Sequence, residues 1–140
     1  MIHPGYLLLS RAPERPGHVI VSTADDMPEA MPAGLLWAAR FNDIETAQMH
    51  AHNRLCRKLV DIDQHLYKVA SGRAIAALDT EYLRHERVYL DETLSDEEND
   101  DIEQWSGYYT RRHNWSSKLF TWIGYLFVAY LLYLLLVIGL

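Results

Sequence analysis

GYLLLSRAPERPGHVIVST, residues 5–23, is the stretch on which the fold turns. GYLLLS at 5–10 is a short apolar run that Arg11, Pro13 and Pro16 break into a turn, and GHVIVST at 17–23 is rich in the β-branched residues that favour strands. Two such runs this close in sequence are most simply a β-hairpin.

Outward from the hairpin, DDMPEAMPAG (25–34) mixes helix-start residues with two prolines and a glycine, so a helix there is short or broken. GLLWAARF (34–41) reads as a third strand. Asn42 or Asp43 then caps a helix running to about Lys58, with Ile44, Ala47, Ala51, Leu55 and Leu59 as its apolar stripe. HLYKV (65–69) reads as a short strand. Ser71 is expected to cap a last helix, where Ala74, Ile75, Leu78 and Leu83 recur near helical spacing and which continues through YLRHERVYL toward residue 90. The expectation is an α/β (α+β) domain over residues 1–90, a small sheet flanked by helices.

The chain has 140 residues, enough for one small domain and little more. Its apolar content is unevenly spread. LFTWIGYLFVAYLLYLLLVIGL, residues 119–140, contains no charge. As a helix it extends roughly 33 Å, enough for a hydrocarbon core of about 30 Å. A buried core helix of a small domain would be shorter and would show a polar face. No signal peptide is recognisable at the N-terminus, since LLL at 7–9 is too short for one. The expectation is a single-pass, tail-anchored membrane protein. Arg111, Arg112 and Lys118 precede the span and no charged side chain follows it, which by the positive-inside rule leaves the N-terminal domain cytoplasmic and takes the C-terminus across the membrane. Trp115, Trp122 and Tyr125 suit the near headgroup region as anchors. Tyr130 and Tyr133 lie deeper, where a phenol hydroxyl favours a partner, and mark a candidate helix-packing face.

The net charge of −6 is local. Residues 1–90 are nearly balanced, whereas DETLSDEENDDIE (91–103) holds eight acids and no base. Residues 91–118 are therefore expected to form an acidic linker and juxtamembrane segment. Its plain reading is a solvated linker or helix face, and its functional reading is docking to a basic partner. Neither suits nucleic acid as a partner. The single cysteine, Cys56, excludes an internal disulfide and a Cys-rich zinc site, and on an amphipathic helix it reads as a small buried hydrophobe before a reactive thiol.

With these landmarks, the order of elements over residues 4–80 resembles the GIY-YIG nuclease superfamily, in its small T5orf172/MUG113-like branch. GYLLLS occupies the place of the family's Gly-Tyr-x-Tyr strand, GHVIVS that of its Gly-x-x-Lys-Ile-Gly strand, and MPEAM (27–31) that of its Asp-Pro-Glu-Glu-Arg segment. Gln48, His52 and Leu55 keep the spacing of the family helix, while HLYKV and SGRAIAAL match its last strand and helix. The resemblance implies an aromatic hydroxyl near a scissile phosphate, an arginine against developing phosphate charge, and a helix glutamate holding a divalent metal. At those positions this chain has Tyr6 with Leu8 for the second tyrosine, Ile20 for the strand lysine, Ser22 for the glycine and Met31 for the arginine. Gln48 replaces the metal-binding glutamate, and His65 the glutamate of the last strand. A neutral amide is a poor sole ligand for Mg²⁺, and a thioether cannot stabilise a phosphorane. Tyr6, Ser22, Met31, Gln48, His52 and His65 are thus degenerate family positions, with no catalytic or metal-binding set among them.

Seven histidines invite a metal reading, but His50 and His52 are two apart and point about 200° apart on a helix. A zinc site would need His52 joined through the fold by His65, Asp61 or Asp63. No nucleophile elbow and no phosphate-binding glycine loop occurs. Arg54, Arg57 and Lys58 are followed at once by Asp61 and Asp63, which fits a paired surface better than a nucleic-acid groove.

The function expected is that of a membrane-anchored, catalytically inactive GIY-YIG-like domain, a pseudo-nuclease acting as accessory or interaction subunit of a larger membrane protein complex. No cofactor is expected. The alternatives are a membrane-associated GIY-YIG endonuclease dependent on Mg²⁺ or Mn²⁺, and a nucleic-acid-binding module without cleavage.

Overall fold

The computed structural model of the chain describes residues 2–139. It divides into two compact units, 1–106 and 107–140.

The first unit is built on the hairpin. β1 (Gly5–Arg11) and β2 (His18–Ala24) pair antiparallel, with Leu9 opposite Val21 and Arg11 opposite Val19. The connection closes through the Ala12 N–H on the His18 carbonyl at 3.1 Å, and Gly17 takes φ 75°, a left-handed value that side chains resist. β3 (Leu35–Phe41) pairs with the other edge of β1, and every residue of it except Arg40 is buried, as befits an interior strand. β4 (Leu59–Asp61), β5 (Leu66–Lys68) and β6 (His85–Leu90) complete a six-stranded sheet in the order β4-β5-β2-β1-β3-β6, with all neighbours antiparallel.

Two helices cover one face. α1 (Ile44–Leu55) begins at Asp43, whose carboxylate accepts from the Thr46 N–H at 3.2 Å and the Thr46 hydroxyl at 2.8 Å. Those two bonds hold the Asp43 carboxyl below its ordinary pKa. Ile44, Ala47, Ala51 and Leu55 are the buried stripe, as their spacing dictates. Gly5 permits the approach: a Cβ there would stand 3.0 Å from the Ile44 Cβ. α2 (Ser71–Asp79) is buried at Gly72, Ala74, Ile75, Ala76, Ala77 and Leu78, a run of small residues that lets it sit close to its neighbours. Strand alternation places Gly5, Leu7 and Leu9 on the helix-covered face and Tyr6, Leu8 and Ser10 on the other. There Leu8, Leu35 and Ala38 form a second apolar cluster with Tyr6, Ala24, Met27 and Tyr89.

Several elements depart from expectation. Residues 85–90 are strand β6, not a continuation of α2. Thr80 ends the helix by turning its hydroxyl back onto the Ala76 carbonyl at 2.6 Å, and β3 offers an unfilled edge that HERVYL pairs with. Ser71 does not cap α2, since Ala70 holds the cap position without a side-chain bond. No helix forms between β2 and β3, where Pro28, Pro32 and Gly34 at φ 79° prevent it. α1 ends at Leu55, and Cys56–Lys58 form a single 3₁₀ turn in which Cys56 is exposed, not buried. The acidic run is largely helical: α3 (Asp96–Ile138) starts within it.

In the second unit, α3 presents a nearly uninterrupted exposed surface, apolar from Leu119 to Ile138. By length and composition this helix can cross a membrane, and its apolar stretch is not buried by the chain itself. Leu140, the last residue of the expected span, lies outside the described residues.

Candidate functional site

The six positions singled out by the sequence resemblance, Tyr6, Ser22, Met31, Gln48, His52 and His65, do not converge. Tyr6 is half-buried in the cluster with Leu8, Met27 and Tyr89, on the face away from the helices. Ser22 stands opposite Leu8 in the hairpin and is exposed. Met31 is exposed in the connection to β3. Gln48, His52 and His65 lie instead where α1 meets the β4–β5 turn and β5. The Gln48 amide nitrogen is 3.4 Å from His65 Nε2, and His52 Nδ1 shares a 3.0 Å hydrogen bond with the Tyr67 hydroxyl. The sheet separates Tyr6 from Gln48.

Each of these placements has a local cause. Gln48 and His52 are one turn apart on α1, beside the buried stripe, so both reach the same neighbouring hairpin. His65 sits at φ 48°, the left-handed position that closes the tight turn between β4 and β5. Its carbonyl accepts from the Val21 N–H at 3.2 Å, which fixes the turn to β2. Asp61 caps the same turn by accepting from the Asp63 and Gln64 N–H groups at 2.9 and 3.3 Å. Asp61 is thus occupied with backbone and is not aimed at His52. Among the described residues, no group of three or more His, Cys, Asp and Glu side chains is arranged to hold a metal.

Tyr67 is the buried centre of this seam, at 1% exposure. Burial pushes its hydroxyl above the ordinary tyrosine pKa, with Cys56 adding a smaller push in the same direction. The hydroxyl therefore stays neutral and acts as a tether between β5 and α1, not as a base.

Other polar contacts are structural as well. Glu81 joins α1 to the end of α2, accepting from Arg54 Nε at 2.8 Å and lying 3.3 Å from His50 Nδ1. Asp79 accepts from the indole N–H of fully buried Trp37 at 3.1 Å and from Arg87 at 3.4 Å, with His85 stacked on Phe41 beside it. The first turns of α3 dock on the domain. Ser95 and Glu98 form a reciprocal cap: the Ser95 hydroxyl accepts from the Glu98 N–H at 3.2 Å, and the Glu98 carboxylate accepts from the Ser95 N–H at 3.0 Å. Arg11 donates to both Glu98 oxygens at 2.8 and 3.1 Å, and the Arg73 guanidinium lies 4.0 Å over the Trp105 ring. Part of the acidic run, Glu98, is thus engaged by the chain's own Arg11. The Ser-x-x-Glu spacing at 95–98 was the legible signal for this helix start, within a stretch whose charge alone reads as linker.

The residues expected at a membrane interface lie in the second unit. Arg111, Arg112, Trp115, Lys118, Trp122 and Tyr125 are all exposed, as are Tyr130 and Tyr133. Compared with protein families, characterised proteins and solved structures, the chain finds no match.

Proposed function

We propose that the protein is a membrane-anchored interaction subunit: a catalytically degenerate GIY-YIG-like domain held at the cytoplasmic face by one C-terminal span and serving a larger membrane protein complex. The observation that carries this reading is α3, one helix whose first turns are fastened to the domain and whose last twenty residues are apolar and exposed. An exposed apolar helix of that length needs lipid or another protein around it.

The inactive reading is supported by the residues at the family's reactive positions. Gln48 supplies an amide bonded to a histidine, Met31 a solvated thioether, and Tyr6 a hydroxyl across the sheet from both Gln48 and His52. Catalysis of phosphoryl transfer needs such groups within hydrogen-bond reach of one centre.

The test is co-purification from membranes of full-length chain and of a chain lacking residues 119–140. Loss of both membrane association and co-purified membrane protein on deletion is expected. Retention of the same partners by the shortened chain would remove the span from this account. Mg²⁺- or Mn²⁺-dependent cleavage of plasmid by the full chain, abolished by Tyr6→Phe, would replace it with the nuclease reading.

A further inference from the structure

We propose that residues 108–125 of α3 form a recognition stripe for anionic phospholipid headgroups, a reading that rests on the membrane anchoring proposed above and adds the class of lipid. Tyr108, Arg111, Trp115, Lys118, Trp122 and Tyr125 follow one another at spacings of 3, 4, 3, 4 and 3. At about 100° per residue those spacings keep all six within an arc of about 100° on one side of the helix. Cations and polar aromatics therefore alternate along a single face that runs from the last turns before the apolar stretch into its first turns.

The chemistry of the face selects its occupant. Trp115, Trp122 and Tyr125 are 71%, 68% and 69% exposed, so the chain itself does not cover them. Arg111 is exposed and its Nε donates to the Gly107 carbonyl at 3.2 Å, which lays the side chain along the helix. Lys118 is exposed one residue before the apolar span begins. No acidic residue occurs after Glu103, so no carboxylate in the second unit neutralises the stripe. A positive, aromatic-lined face at the start of a hydrophobic span complements phosphate-bearing lipids that carry net negative charge, with indole and phenol rings seated at the interface. Cations scattered round the helix would mark orientation equally well, but would not place both charges in line with the rings.

The experiment uses the full chain reconstituted in bilayers of equal parts phosphatidylcholine and phosphatidylglycerol, with the lipid retained by the purified protein counted by native mass spectrometry. The ratio of retained phosphatidylglycerol to retained phosphatidylcholine is expected to exceed the bulk ratio of one about fivefold, the factor one cation contributes near an anionic surface. The Arg111→Gln/Lys118→Gln variant is expected to lose that enrichment. A third variant adds His113→Arg and Ser117→Lys to those two changes, restoring the charge on the opposite side of the helix. It is expected to remain unenriched. Enrichment equal to wild type in that relocated variant, or no enrichment in wild type, overturns the stripe. Resistance to alkaline extraction from pure phosphatidylcholine bilayers reports the anchoring separately. A chain that fails to insert there removes the membrane reading, whereas one that inserts without lipid preference removes only the stripe.

Discussion

Gly72 brings α2 against the backbone of α3: a Cβ at that position would stand 2.6 Å from the Glu98 carbonyl oxygen and 2.7 Å from the Asp101 Cβ. The contact sits in the first turn of α2, where helix propensity alone would favour alanine over glycine by about 1 kcal/mol. Backbone cannot yield as a flexible side chain does, so the clash outweighs propensity. Gly72→Ala is expected to destabilise the protein by about 1–3 kcal/mol. Thermal unfolding of full-length protein in detergent reads this directly, and a melting temperature at or above wild type would show that the two helices do not meet as described.

The cap at the start of α3 depends on charge. Burial raises the Glu98 pKa, but the Ser95 N–H, the Arg11 charge and the two side-chain hydrogen bonds outweigh it, so the carboxyl lies below its ordinary value. A group with a lowered folded-state pKa stabilises above its unfolded value and loses that contribution as pH falls through the folded one. Docking of residues 96–106 should therefore be constant at neutral pH and weaken below about pH 4. Glu98→Ala is expected to cost about 1 kcal/mol, the usual value of a helix cap. Arg11→Ala should cost less than about 1 kcal/mol, because that ion pair is largely exposed. Amide hydrogen exchange at residues 96–106 is the measurement, and equal protection at acid and neutral pH in the wild type would contradict it.

Asp79 satisfies the indole N–H of Trp37, which is fully buried at 0% exposure. Asp79→Ala leaves that donor without a protein acceptor, at an expected cost of about 1–3 kcal/mol. The Arg87 contact on the same carboxylate is longer and more exposed, so Arg87→Ala should cost only a few tenths of a kcal/mol. Equal effects of the two substitutions would place the energy in the ion pair and not in the indole.

The hairpin, the third strand and the buried stripe of α1 were legible because each rests on local rules: β-branched runs, a proline-broken turn, a cap and a 3.6-residue period. β6 was not, because HERVYL has little strand character of its own and is strand because β3 leaves an edge beside it. The acidic run was legible as a solvated linker or helix face, but its docking was not. Its charge describes solvation, while Arg11 and Gly72, distant in sequence, decide that it docks. At the candidate site, spacing alone removed the paired-histidine chelate. The partners of Gln48 and His52 could not be read, since His65 and Tyr67 reach them only through the β4–β5 turn.

Those partners make the last prediction sharp. Under the proposed resemblance, Gln48→Glu is the change that places a glutamate where GIY-YIG nucleases hold their metal. In the fold, the restored carboxylate would face His65 at 3.4 Å, on the helix-covered side of the sheet, with Tyr6 packed on the other. A metal held by that carboxylate would have the Tyr6 hydroxyl on the opposite face of the sheet, out of reach of the same phosphate. Gln48→Glu is therefore expected to leave supercoiled plasmid intact in the presence of Mg²⁺ or Mn²⁺. Plasmid nicking by the variant but not by wild type would show that one side chain separates this domain from a nuclease, and that the sheet does not divide the site.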